Sequence, residues 1–122
     1  MNICIVDDNS TNCYVLKELL CLEKSISSIV TYTEPEVFID DLYSSKIKPD
    51  VVLTDIMMPV IDGYSLSNKI KQYSSDIRII GITALPKTKC LLKDVEKCSM
   101  ENVIFKPYDM KSLIHFINGT KA

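Results

Sequence analysis

Short apolar runs closed by acidic or prolyl turns alternate in this chain with longer stretches whose apolar residues recur at helical spacing. The first run, Asn2 to Val6, ends at Asp7-Asp8-Asn9. Asn9 or Ser10 then caps a helix to about Glu23, with Val15, Leu16, Leu19, Leu20 and Leu22 as a broad apolar face. Ser27 to Thr33, carrying Ile29, Val30 and Tyr32, reads as a second strand. Thr33 or Glu34, with Pro35, opens a helix holding Val37, Phe38, Ile39 and Leu42. Lys48-Pro49-Asp50 turns the chain into Val51-Val52-Leu53-Thr54-Asp55, a buried strand with a carboxylate at its tip and Pro59 four positions on. Asp62-Gly63 breaks the chain before a third helix marked by Leu66, Ile70 and Tyr73. Ile77 to Thr83 is a fourth strand, followed by Ala84 and, from Leu85-Pro86 to about Ser99, the least regular of the helical patterns. Asn102 to Phe105 is a fifth strand ending at Lys106-Pro107. Asp109 caps a last helix with Met110, Leu113, Ile114 and Ile117 inward.

Five strands alternating with five helices, joined by short connections, imply an α/β fold: a parallel sheet with helices on both faces. The expectation is a (βα)5 flavodoxin-like, doubly wound sheet of strand order 2-1-3-4-5, with residues 1–122 as one domain. Ligand sites in such sheets lie beyond the carboxyl ends of the strands where the order reverses, here between the first and third strands. Those strands end in Asp7-Asp8 and in Asp55.

Charge and composition narrow the function classes. A net charge of -2, with Lys and Glu scattered along the chain, argues against a nucleic-acid footprint, which would show as a basic stripe. No apolar run approaches a membrane span and no secretory leader opens the sequence, so a soluble cytoplasmic location without membrane contact is expected. Cys4, Cys13, Cys21, Cys90 and Cys98 are odd in number and never spaced C-x-x-C, which suggests neither a disulfide framework nor zinc. A cysteine nucleophile would need a base. The one histidine, His115, falls near the end of the last helix and reads as a surface or boundary residue.

Taken alone, Asp55 could merely open the next turn. Its convergence with Asp7 and Asp8 changes that reading, because two unit charges about 4 Å apart repel by about 4 kcal/mol at an effective dielectric near 20. Three such carboxylates call for a cation. Oxygen-only ligands, few in number, suit Mg²⁺ better than Ca²⁺. Thr83 and Lys106 end the fourth and fifth strands, so the same crevice receives a hydroxyl and an ammonium, although a solvated strand-end lysine is the plainer reading of Lys106 by itself. Together these groups make a phosphoryl site with a carboxylate as acceptor. Asp55, backed by the longest apolar strand in mid-sheet, is the expected nucleophile, while the adjacent Asp7 and Asp8 suit the metal. Pro107, if its peptide bond is cis, would fix the Lys106 backbone.

Asp7-Asp8, Asp55 with Pro59 and Gly63, Thr83-Ala84 and Lys106-Pro107 together resemble the receiver domain of two-component response regulators, in order and spacing over essentially the whole chain. The resemblance implies that Asp55 takes a phosphoryl group from a phosphohistidine. It also implies that Asp8 ligates Mg²⁺ directly, Asp7 through water, and the Met57 main-chain carbonyl completes the protein's share. Thr83 and Lys106 would hold the phosphoryl oxygens.

The chain departs from the family pattern at Val103, three residues before Lys106, where receivers that switch an output surface usually carry an aromatic. Phe105 and Tyr108 lie nearby, Phe105 on the same strand face as Val103. A small apolar residue there, and the opening Asp7-Asp8-Asn9-Ser10-Thr11-Asn12, are similar to receivers inside hybrid histidine kinases. That resemblance implies relay to a histidine phosphotransfer domain, with a histidine kinase or such a domain as partner, docked near the first helix at residues such as Asn12 and Leu16. Met57-Met58 should shield the site, and Met57 and Leu85, two positions after Asp55 and after Thr83, should hinder an in-line water and slow phosphate loss.

Two other classes compete. A receiver-like interaction module would keep the fold and work without phosphorylation, a reading that the full set of polar groups disfavours. A haloacid-dehalogenase-type phosphotransferase would want a second Asp where Met57 stands, and a flavin site would be repelled by Asp7-Asp8.

Overall fold

The computed structural model describes residues 1–58, 61–83, 100–106 and 109–119. The helix expected from Leu85 to Ser99, the Pro107 peptide bond, and Pro59, Ala84 and Tyr108 lie outside the described residues.

The elements run β1 (Asn2–Val6), α1 (Ser10–Leu20), β2 (Ser28–Tyr32), α2 (Pro35–Tyr43), β3 (Val51–Asp55), α3 (Gly63–Tyr73), β4 (Arg78–Thr83), β5 (Asn102–Phe105) and α4 (Met110–Ile117). The strands form one parallel sheet of order β2-β1-β3-β4-β5, the topology expected from the alternating pattern.

Period-two alternation along buried strands splits the core in two. Ile3 and Ile5 face one way with Leu53, Ile80 and Ile82, and pack under Cys13, Leu16 and Leu20 of α1 and Leu113 and Ile117 of α4. Cys4, Val6, Val52 and Ile79 face the other way, under Phe38 and Leu42 of α2 and Leu66 and Ile70 of α3. Strands with no polar face must be covered twice, and the described helices fall two to each side.

The helix starts follow capping chemistry. Asn9, Asp62 and Asp109 each accept, through the side chain, a backbone N–H three residues on. Pro35 occupies the first turn of α2, where its missing N–H costs nothing.

The structure differs from the sequence pattern at α1. The helix stops at Leu20, and its buried stripe is only Cys13, Leu16 and Leu20, spaced three and four apart. Val15 and Leu19 sit one position off that stripe, 48 % and 42 % exposed, and Leu22 lies past the helix end in solvent. In each adjacent pair, Val15-Leu16 and Leu19-Leu20, a step of about 100° buries the second residue and turns the first toward the helix's flank. Val37 of α2 is likewise exposed.

Arg78 ties the amino end of the sheet to the last helix. Its Nη1 donates to the Ile117 carbonyl and its Nη2 to the Phe116 carbonyl, both at 2.6 Å, while Nη2 pairs with Glu101 at 2.8 Å. The Ile117 carbonyl at the end of α4 is thereby satisfied, and the Phe116 carbonyl, which also accepts the Gly119 N–H at 3.0 Å, gains a further donor.

Candidate functional site

The sheet register places the polar strand ends side by side. Val6 pairs with Thr54, so Asp7 and Asp55 follow on adjacent strands. Asp55 pairs with Ile82, so Thr83 follows beside it, and Thr83 pairs with Phe105, so Lys106 comes next. The Lys106 N–H donates to the Thr83 carbonyl at 2.7 Å, extending the ladder to the site's edge. Parallel strands all end on the same side, so these four positions meet without a long loop.

Asp7, Asp8 and Asp55 each offer a carboxylate oxygen, and the three lie within 4.8 Å of one another. Asp7 is buried, Asp55 half-buried and Asp8 exposed. Asp7 Oδ1 accepts the Asn9 N–H at 2.9 Å, and Asp55 Oδ1 accepts the Met57 N–H at 3.4 Å. Burial is the largest influence on both inner acids and raises each carboxyl above its ordinary value. Repulsion from Asp7 raises Asp55 further, while backbone amides and the Lys106 charge pull both down. The Asn12 side chain also bonds to Asp7 and lowers it.

The donor set fits a hard divalent ion: three oxygen ligands in reach of one point, no soft ligand among them, and a net negative charge that Lys106 alone does not balance. Thr83 is fully buried at the end of β4.

Gly63 packs against the backbone that carries Asp55. Its N–H donates to the Ile56 carbonyl at 2.8 Å, and a Cβ there would stand 2.6 Å from the Asp55 carbonyl oxygen and 2.8 Å from the Ile56 Cα. Only a glycine lets the start of α3 return this close to the end of β3. The Asp-Gly pair marked a break in the sequence; the backbone approach it serves is visible only in three dimensions.

Met57 and Met58 part company. Met57, whose N–H reaches Asp55, is 59 % exposed, whereas Met58 is buried in the core beneath α2 and α3. Val103 is partly buried against the same core. His115 is half-buried at the end of α4 against Phe116, away from the acids, as a boundary residue.

A groove of about 560 Å³ opens from Asp55 and Lys106 down between α1 and α4, walled by Val15, Leu16, Leu19 and Met110. Sequence reasoning missed it, although Val15 and Leu19, apolar yet off the helical stripe, were its signal. Leu16, expected at a docking surface, is only 7 % exposed and belongs to the core. The apolar side chains that α1 offers outward are Tyr14, Val15 and Leu19.

A doubly wound sheet with this acidic crevice defines a class, and residues 3–118 match the family model of the response regulator receiver domain. The chain belongs to that family, the phosphoacceptor domains of two-component signalling. It is similar to the chemotaxis protein CheY of Halobacterium salinarum, at 28 % identity over 95 % of this chain and 92 % of that protein. It is also similar to the sensor protein EvgS of Escherichia coli O157:H7, at 28 % identity over 93 % of this chain but 9 % of EvgS. Among solved structures, the response regulator TrrA of Thermotoga maritima, in complex with Mg(2+)-BeF, superposes with a TM-score of 0.81. The identity is 25 %, covering 97 % of this chain and 96 % of that one. The chain spans 20 %, 41 % and 9 % of the length of three curated relatives it matches. Receiver domains generally bind Mg²⁺ at an acidic pocket and interact with histidine kinases or phosphotransfer partners. Among the described residues no helix is long and apolar enough to cross a membrane.

Proposed function

We propose that residues 1–122 form one cytoplasmic receiver domain, which takes a phosphoryl group from a phosphohistidine onto Asp55 with Mg²⁺ bound and relays it to a histidine phosphotransfer domain. The observation that carries this reading is the meeting of three carboxylates, a buried hydroxyl-bearing threonine and a lysine at the ends of four neighbouring strands.

Each residue then has a task. The Met57 and Ile56 amides hold the Asp55 carboxylate at the mouth. An Asp55 oxygen attacks phosphorus, the phosphorus–nitrogen bond breaks, and the imidazole nitrogen leaves with the electron pair. In this reading Lys106 neutralises a phosphoryl oxygen and the Thr83 hydroxyl donates to another. Asp7, Asp8 and Asp55, with the Met57 main-chain carbonyl, would hold Mg²⁺, which when bound neutralises charge on the transferring group. The Mg(2+)-BeF complex of TrrA supports such a site on this fold. The Met57 side chain beside Asp55 hinders water and slows phosphate loss.

The partner docks over α1, where Tyr14, Val15 and Leu19 present apolar surface beside the groove that leads to Asp55. The likeness to the EvgS receiver segment and the absence of an aromatic at Val103 both favour relay over switching of an output face. The test uses a phosphorylated histidine phosphotransfer domain and, separately, acetyl phosphate. Transfer from both requires Mg²⁺ and is lost in Asp55→Asn, whereas Leu19→Asp slows transfer from the protein donor alone. No transfer from either donor to the folded chain would point instead to an interaction module that works without phosphorylation.

A further inference from the structure

The chain holds five methionines, and their settings differ sharply. Met58 and Met100 are buried at 9 % and 8 %, Met1 and Met110 are half-buried, and Met57 alone is exposed, at 59 %. Access governs which thioether a small oxidant reaches first. The exposed one is also the nearest in sequence to the reacting carboxylate, two residues after Asp55 and joined to it by the Met57 N–H.

We propose that Met57 is a peroxide-sensitive modification site whose oxidation shortens the life of the phosphoryl group on Asp55. This rests on the phosphoacceptor reading of Asp55. In the step itself the Met57 sulfur lone pair attacks one oxygen of hydrogen peroxide, the O–O bond breaks, and the departing hydroxide takes up the remaining peroxide proton and leaves as water. Sulfur is oxidised by two electrons and the peroxide is reduced by two. The product, a sulfoxide, replaces an apolar screen with a polar oxygen that accepts hydrogen bonds. At the mouth of the site that oxygen can hold a water where the thioether excluded one. The same position thus changes from hindering in-line attack to assisting it.

Selectivity follows from the packing. Met58 is enclosed by the core under α2 and α3, and Met100 packs against Gly63 and Gly81, so neither thioether meets solvent without opening the fold. Cys21 is exposed and will react with peroxide too, but it lies at the far end of α1, after the helix has left the crevice.

The experiment treats the folded chain with dilute hydrogen peroxide, maps the added oxygen by peptide mass analysis, then phosphorylates it with acetyl phosphate and follows loss of the adduct. Met57 gains one oxygen before Met58 or Met100, and the oxidised chain loses its phosphoryl group at least about threefold faster than the untreated chain. Met57→Leu, compared with itself before and after peroxide, shows no change in lifetime although Cys21 still reacts. Met57→Gln, polar without oxidation, loses phosphate quickly from the start. Equal oxidation of Met57 and Met58 would overturn the site. A Met57 sulfoxide with an unaltered lifetime would overturn the switch and leave the phosphoacceptor reading standing. A chain that forms no adduct even before peroxide would remove both.

Discussion

Replacing Asp55 with asparagine should make the metal-free protein more stable, although it removes the acid proposed as the phosphoacceptor. The three carboxylate oxygens lie within 4.8 Å of one another, and at an effective dielectric near 20 each ionised pair at that distance repels by about 3.5 kcal/mol. Asp55→Asn deletes two of the three repulsions and also the attraction to Lys106. Solvent at Asp8 screens its share, so the net gain should be about 1–2 kcal/mol, or a rise in Tm of about 5 °C for a chain of this length.

The pH dependence has a definite sign. Burial raises the Asp55 carboxyl above 3.8, so between that value and the folded one the native chain keeps a proton that the unfolded chain has released. Stability from this source is therefore greatest below 3.8 and is lost as pH rises through the window. Asp55→Asn lacks that loss, so its advantage opens as pH climbs and closes as pH falls to the ordinary carboxylate value. Urea unfolding in a chelator, then with saturating Mg²⁺, provides the assay. The ion should stabilise the parent chain by about 2.7 kcal/mol at a hundred times its Kd, and the variant by much less. Equal stability of the two in chelator, or equal stabilisation by Mg²⁺, would refute the reasoning.

Gly63→Ala would press a methyl group against backbone of Asp55 and Ile56, so a loss of about 2 kcal/mol or more in urea unfolding is expected, together with slower phosphorylation as Asp55 shifts. Arg78→Ala strips two end carbonyls of α4 and the Glu101 carboxylate of their shared donor, and should cost about 2–3 kcal/mol by the same measurement, whereas Glu101→Ala should cost under about 1 kcal/mol. Burial pushes the Cys4 thiol up to about 12 and the Cys13 thiol up to about 11, so iodoacetamide at neutral pH should label Cys21 in the folded chain, and Cys4 and Cys13 only on unfolding.

The sheet was legible because its central strands are apolar on both faces, a pattern that admits only a doubly covered parallel arrangement, and because Asp7, Asp55, Thr83 and Lys106 close β1, β3, β4 and β5. Strand order and the gathering of Asp7, Asp8 and Asp55 followed from that topology. The finer surface was not legible. Val15, Leu16 and Leu19 look alike in a string of apolar letters, and all three line the groove, yet a rotation of one residue buries Leu16 in the core and leaves Val15 and Leu19 exposed. Met57 and Met58 are likewise adjacent letters with opposite fates, since the chain leaving β3 points successive side chains to opposite sides. Arg78 gave no sign of its role, because the carbonyls it serves belong to a helix some forty residues away in sequence, a closeness set by the fold alone.

The most direct test of Asp55 as phosphoacceptor is chemical trapping. The chain is incubated with acetyl phosphate and Mg²⁺, reduced with borohydride, which converts an acyl phosphate to the corresponding alcohol, and mapped by peptide mass. The account predicts homoserine at position 55, dependent on Mg²⁺, with Asp7 and Asp8 intact. Homoserine at position 7 or 8, or none anywhere in a folded, Mg²⁺-saturated chain, would contradict it.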